Sequence, residues 1–445
     1  MKNLKYIAAV LGLVLVLVIV ASLVLDKKLE EDSTFVSDIV DFDKLNVTSS
    51  NNESNKKDLK LSDNTVFSEN PEDNSDSSEN GMFMKATLTR EEWQNRIDNG
   101  INSSGLREAD IKCKKLYYYS HLDDFKKQLY LEIYICLRDL KTGIPLCSTS
   151  TDEIDEAFNC VMYDHPEIFY ADGYLVTRYS LNDEIALIEI SPAFTMTKEE
   201  INEQQKYVDA YAKAFLDNLP KNSSEYEKIK FAYEFVILTT DYDTNAVENQ
   251  NIISVCRYQK SVCKGYAKTF QYLTSLVGVK STVISGTVGN GDGHAWNLVV
   301  CNDQYYYVDC TWGDSSYMAN YQSTHNSDDI NYDYLNITTV ELQKTHTISD
   351  FVEVPLCNAT KNNYYVREEL YFTSVDEEQL KKAFKFASYS DRNTVEIKCS
   401  NQSVYNKMGQ YLFDEQNVFY YLPSKSSSMK VFKNPDLLIY SIPLE

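Results

Sequence analysis

Two strand-like runs meet at Asn302 and Asp303, and this junction constrains the chain more than any other feature. Residues 295–301 read as one strand and 304–312, QYYYVDCTW, as the next. An Asn-Asp pair between such runs marks a tight hairpin. Hairpin register then decides which side chains meet. If Val300 faces Asp303, His294 faces Asp309. A slip of two residues pairs Asp309 with Trp296 instead, still beside His294 on the same face. In both registers a carboxylate lies next to an imidazole, where it can hold the ring's tautomer and stabilise its protonated form.

Two further pieces join this pair. Residues 261–270 read SVCKGYAKTF, and their apolar spacing continues through Leu273, Leu276 and Val277. This predicts a helix with Cys263 near its N-terminus. Free amides and the positive dipole end there favour a thiolate. Gly265 is expected to let another backbone approach. The glycine-rich stretch 286–296, GTVGNGDGHAW, is expected to deliver His294 as a loop. Taken singly, a cysteine is most often a buried structural thiol and a His–Asp pair an ordinary hydrogen bond. A helix-start cysteine, a loop-borne histidine and a hairpin-matched aspartate, in that order, point to a thiol nucleophile with its base and the base's orienter.

Other chemistries fit less well. The glycine loop lacks a following Lys-Ser/Thr and opens no helix, which argues against phosphate binding. Zinc held by Cys256, Cys263 and His294 would lack any compact ligand pair. No metal or organic cofactor is expected. A formal net charge of −23 argues against nucleic acid as a partner.

The 445-residue chain divides into five stretches. Residues 7–25 form an unbroken apolar run, IAAVLGLVLVLVIVASLVL, long enough to cross a bilayer as a helix. Lys2 and Lys5 precede it, and no A-x-A-like cleavage site follows. Residues 1–26 therefore read as an uncleaved signal anchor, with secretion after cleavage as the alternative. Residues 27–81 are an acidic Ser/Asn-rich linker expected to be disordered. Residues 82–195 read as a small α/β unit, 196–350 as the unit carrying the chemistry, and 351–445 as a small C-terminal α+β unit. Within them, Thr89 and Glu92, and Thr197 and Glu200, have capping-box spacing. Helices are expected over 152–163, 225–238 and 377–387, and a strand over 129–137, LYLEIYICL. The 34 tyrosines suit half-buried pleated surfaces. Ten cysteines, none before Cys113, form no CxxC pair. An extracytoplasmic location would permit disulfides, but the spacing specifies no pairing.

The strings CKGYAKTFQYLTSLVGVKSTVISG, GHAWNLVV and YYYVDCTWGD resemble the bacterial transglutaminase-like superfamily. The resemblance spans roughly 197–350. DHPEIFYADGY and DYLNI resemble flanking pieces of extracellular Gram-positive relatives. The resemblance implies an α+β fold: a papain-like core in which the Cys263 helix packs on an antiparallel sheet, with smaller units at its flanks. It implies Cys263 as nucleophile, His294 as base and Asp309 as its orienter. One oxyanion donor would be the Cys263 amide, and the second would come from upstream, from Tyr258 or Gln259. The expected partner is a protein or peptide substrate in a cell-wall setting. Trp296 and Trp312 are expected to pack around the site. His346, in a KTH string that resembles the family's tail, reads as a structural histidine.

The apolar run generates a direct test. Full-length protein should stay in the membrane fraction through high-salt and carbonate washes. Mature protein recovered in solution and starting after residue 25 would overturn the anchor.

Overall fold

The computed structural model describes residues 81–444, apart from 88–90, 93–94, 97–99, 182–183, 290, 315–329, 351, 390–393 and 423–430. The expected anchor, nearly all of the linker and the capped start at Thr89 lie outside the described residues. Among the described residues, no helix is long and apolar enough to cross a membrane. The fold is mixed α/β, with three larger sheets.

The first sheet has the order β1-β3-β4-β2, from strands Gly81–Thr87 (β1), Ile144–Pro145 (β2), Ala171–Leu181 (β3) and Glu184–Phe194 (β4). Helices Ser103–Cys113 (α1), Tyr117–His121 (α2), Asp124–Arg138 (α3) and Thr151–Asp164 (α4) accompany it. The strand expected over 129–137 is the second half of α3. Every residue from Leu129 to Leu137 is buried there, so the run shows no polar face to give a helical period. A short continuous apolar run fits a buried strand and a buried helix equally. The deciding signal lies upstream, where the Asp123 side chain accepts the Lys126 amide and starts the helix.

Two long helices follow, Lys198–Asn218 (α5) and Glu225–Leu238 (α6). Each opens with a complete capping box, Thr197 with Glu200 and Ser224 with Glu227. A short parallel pair, Asp241–Tyr242 (β5) and Lys260–Ser261 (β6), flanks the helix Ile252–Cys256 (α7). The helix Cys263–Leu276 (α8) then packs on an antiparallel sheet of order β10-β9-β8-β7-β11. Its strands are Ser281–Val288 (β7), Asp292–Cys301 (β8), Gln304–Val308 (β9), Leu335–Ile337 (β10) and His346–Ile348 (β11). The single-turn helices Cys310–Gly313 (α9) and Thr339–Leu342 (α10) join the later strands. Because β10 and β11 are opposite edges, the connection through α10 carries the chain across the sheet.

The β8–β9 turn has both Asn302 and Asp303 at positive φ, 51° and 59°, the conformation of a primed hairpin turn. Asn297 pairs with Val308 and Val300 with Tyr305. This is the second of the two registers, in which Asp309 follows on opposite Trp296. His294 belongs to β8 itself and pairs with Gly286 on β7.

A third sheet, β12-β13-β15-β14, combines Tyr371–Phe372 (β12), Thr394–Cys399 (β13), Phe432–Asn434 (β14) and Ile439–Pro443 (β15). Helices Tyr364–Arg367 (α11), Glu377–Tyr389 (α12) and Gln402–Gly409 (α13) accompany it. One cluster of buried apolar side chains runs through all three regions. Specific polar links add to it. Tyr118 donates its hydroxyl to Val283 O at 2.7 Å, and Gln271 donates to Tyr163 O at 2.8 Å. Lys398 pairs with Glu341 at 2.7 Å. All ten cysteines are free thiols.

Gly265 shows how tightly α8 is seated. Its first turn lies over Ser261 and Ser254, whose hydroxyls are bonded to each other at 2.6 Å. A Cβ here would strike Ser261 Oγ and come within 2.8 Å of Ser254 Oγ, so the close neighbours are side chains rather than another backbone. Gly265→Ala should therefore destabilise the protein by about 1–3 kcal/mol through overpacking. Adding Ser261→Ala should recover part of that loss in a denaturant titration. Equal stability of parent and Gly265→Ala would show that the seat is looser than described.

Candidate active site

The site begins at the N-terminus of α8. Its N-cap, Val262, is extended (φ −110°, ψ 178°) and has no side chain that could cap. The free N–H groups of the first turn thus keep their positive field on the half-buried Cys263 thiol. Polar contacts near its start hold the helix in place: Tyr266 donates its hydroxyl to Asp314 Oδ2 and lies against Thr240 O, both at 2.8 Å, and Asn297 donates to Ala267 O at 2.9 Å. Asn297 sits three residues after His294 on β8, so that last bond ties the thiol's helix to the imidazole's strand.

His294 Nε2 lies 2.7 Å from Asp309 Oδ2, with both side chains buried. Its other nitrogen, Nδ1, is the one left for the thiol. Cys263, at the start of the helix packed on β8, is near enough to act electrostatically on the ring. Burial pushes the imidazole's pKa down, yet the charge and hydrogen bond of Asp309, followed by Cys263, carry it up to about 10. Burial likewise pushes Asp309 up, but His294 and His346 together hold it well below the usual carboxylate range.

Asp309 is also the N-cap of α9. Its Oδ1 accepts the main-chain N–H groups of Thr311 at 2.9 Å and Trp312 at 3.1 Å. The turn after β9 therefore orients the carboxylate. Trp296 lies 6.0 Å from the His294 ring and Trp312 6.2 Å from it, centroid to centroid, so both pack around the site as expected. The flanking unit contributes Tyr163 of α4, whose ring lies 5.5 Å from the Lys264 ammonium, next to Cys263.

The sequence reading took His346 as a structural histidine, and the structure places it at the site. Its Nε2 is 3.1 Å from the same Asp309 Oδ2, and the ring is fully buried. The KTH string was the only signal, because β11 reaches this position by crossing the sheet. Tyr258 and Gln259 occupy the turn between α7 and β6. The Gln259 main-chain N–H is donated to Val255 O at 3.1 Å, so as an oxyanion donor Gln259 could act only through its side chain. Among the remaining histidines, His165 bonds Glu167 at 2.7 Å and His121 bonds Tyr117 O at 2.8 Å. His325 lies outside the described residues.

Among the described residues, one group of His, Cys, Asp and Glu side chains is close enough to share a metal: His294, Asp309 and His346, with ligand atoms within 4.8 Å of one another. Cys256 is not part of it. Both rings sit at hydrogen-bonding distance from one oxygen, while main-chain amides fill the other. We therefore read the trio as a proton-holding network, not a ligand set.

Residues 213–310 match the sequence model of the family described as the transglutaminase-like superfamily. The chain carries a transglutaminase-like domain. The matched stretch includes Cys263, His294 and Asp309. The kyphoscoliosis peptidases of Mus musculus and Homo sapiens are each 26% identical to it over 114 residues, 22% of this chain and 17% of theirs. The match thus spans less than a fifth of those relatives' length. A solved structure of a TGase is 17% identical with a TM-score of 0.23, covering 32% of this chain and 44% of that one.

The shifted pair gives stability a defined pH dependence. His294 is raised from 6.5, so its contribution is complete below about pH 6.5 and fades as pH rises toward 10. Asp309 is lowered from 3.8, so its contribution is complete above about pH 4 and fades in stronger acid. Asp309→Asn should accordingly cost most between about pH 4 and 6.5, by about 3 kcal/mol or more for a broken buried pair. His165, raised to about 10 with Glu167 as its partner, titrates in both proteins and cancels in the difference. A stability difference independent of pH from 5 to 9 would contradict the assignment.

Proposed function

We propose that the protein is a membrane-anchored, extracytoplasmic acyl-transfer enzyme in which Cys263, His294 and Asp309 act as one unit. One observation carries this reading: the helix that starts, uncapped, at Cys263 is tied by Asn297 to the strand of an imidazole whose Nε2 is held by a buried, ionised carboxylate. The apolar run at 7–25 supports the anchor, and the acidic linker after it supports display away from the membrane.

The chemistry follows from the geometry. The Cys263 thiolate attacks the carbonyl carbon of a glutamine carboxamide or a peptide. The resulting oxyanion is held by the Cys263 N–H and a second donor from Tyr258 or the Gln259 side chain. The proton on His294 Nδ1 passes to the leaving nitrogen as the C–N bond breaks, leaving a thioester on Cys263. An incoming amine or water then gives a proton back to Nδ1 and attacks the thioester, releasing the product and restoring the Cys263 thiolate beside the protonated ring. Amine attack completes a transamidation and water attack a hydrolysis. The peptidase names of the relatives support the second route, and the family description leaves the first equally open. Throughout, Asp309 holds the ring so that Nδ1 faces the sulfur and stabilises it when charged.

The test offers the full-length protein a peptide library with and without a primary amine, and follows hydrolysis and amine incorporation by mass spectrometry. Cys263→Ala should abolish thioester formation, a loss of at least about 10⁴-fold. His294→Ala should lose both proton transfers. Asp309→Asn should retain some activity, with a loss of up to about 10⁴-fold. Single and double losses should be strongly non-additive. A folded Cys263→Ala variant at the parental rate would remove the enzyme reading and leave a binding module at the cell surface.

A further inference from the structure

We propose that His346 is a positioning residue of the active site: as a neutral imidazole protonated on Nε2, it donates to Asp309 Oδ2 beside His294 and limits how strongly that carboxylate holds the His294 imidazolium. The proposal rests on the acyl-transfer reading for its catalytic meaning, but not for its structural content.

The argument starts from lone pairs. An ionised carboxylate accepts but cannot donate, and has about four acceptor positions. Here four donors fill them: the N–H groups of Thr311 and Trp312 on Oδ1, and His294 Nε2 and His346 Nε2 on Oδ2. His346 Nε2 must therefore carry a proton. On the ring's other side, Thr345 Oγ1 lies 2.7 Å from Nδ1, closer than the 3.3 Å to its alternative acceptor, Leu342 O. The hydroxyl therefore best donates to an unprotonated Nδ1, which leaves the ring neutral. The surroundings favour a neutral ring too. Trp296, Trp312 and Tyr334 enclose it at centroid distances of 5.0, 4.7 and 5.6 Å.

The titratable groups facing this network are Asp309 after β9, His294 on β8, Tyr334 beside β10 and, through His294, Cys263 on α8. Among the described residues, Asp309 is the one anion in contact with both rings. Two donors on one oxygen share its charge, so each bond is weaker than it would be alone. Removing the His346 donor should tighten Asp309 on His294. The thiolate–imidazolium pair would then form at lower pH and persist to higher pH. The architecture is costly to assemble by chance. The chain crosses from β10 to β11 to deliver this ring, and β7 admits β11 only because Gly286 has no side chain, since a Cβ there would strike Thr347 O.

The experiment measures the rate of iodoacetamide alkylation at Cys263 against pH, by peptide mass spectrometry on the full chain, for the parent, His346→Phe and His346→Gln. His346→Phe should move the lower limb down and the upper limb up by half a pH unit or more, about three-fold in rate on each limb. His346→Gln, which retains a donor near the Nε2 position, should restore the parental profile. Superimposable profiles for parent and His346→Phe would overturn the proposal, as would equal shifts for Phe and Gln. A parent that does not label in mild acid would count against the acyl-transfer reading instead. The tautomer is tested independently by ¹⁵N-histidine NMR, which is tractable with five histidines in the chain. His346 should show a neutral Nε2–H ring, and an imidazolium or an Nδ1–H ring would overturn the proposal. If His346→Phe does not fold, Thr345→Val serves in its place. Loss of the hydroxyl should change the hydrogen bonding at Nδ1, and an unchanged ¹⁵N signature would count against the network.

Discussion

The buried Asp309 carboxylate is the constraint on which the rest of the site depends. An anion out of water is tolerated only when its lone pairs are filled and opposite charge is near. The protein meets this demand from three directions. The turn into α9 supplies two main-chain amides, β8 supplies His294, and β11 supplies His346. Each supplier fixes a separate piece of chain. Satisfying one carboxylate therefore fixes the end of one hairpin, the middle of the sheet and its far edge.

Sheet order follows from that demand. His294 and Asp309 are neighbours because their strands form one hairpin, and its primed turn sets the register. His346 is remote in sequence and arrives by a crossover between opposite edges. Cys263 is positioned by different means, through a helix laid on β7 and β8 and pinned by Asn297 and Gly265. The thiol and the imidazole are thus held by separate elements that share one packed interface. Such an arrangement keeps a nucleophile and its base in fixed relation without a covalent link.

The flanking regions are not passive neighbours. Tyr163 from α4 reaches the edge of the site, while Tyr118 and Gln271 join the first region to the central sheet and helix. On the other side, the Lys398–Glu341 pair lies close to the crossover that ends in His346. Glu341 also closes the capping box of α10, with Thr338 as its partner. The crossover is thereby held at both ends, by a carboxylate partner in the core and by a lysine from the third sheet.

Local chemistry was legible in the sequence. The turn pair Asn302-Asp303, the capping box at Thr197, and the helix start at Cys263 are all short-range decisions. Backbone conformation and nearby hydrogen bonds settle them without help from distant residues. The meeting of His294 and Asp309 was legible for the same reason, since a hairpin converts sequence distance into contact. Three things were decided only by tertiary structure. Residues 129–137 became a helix because burial on every side erases the periodicity that separates helix from strand. Gly265 was read as a backbone contact, but its close neighbours are the Ser261 and Ser254 side chains. His346 became a partner of Asp309 because strand order across a sheet is a global property. Nothing within a few residues of a histidine records which distant carboxylate the crossing chain will bring to it.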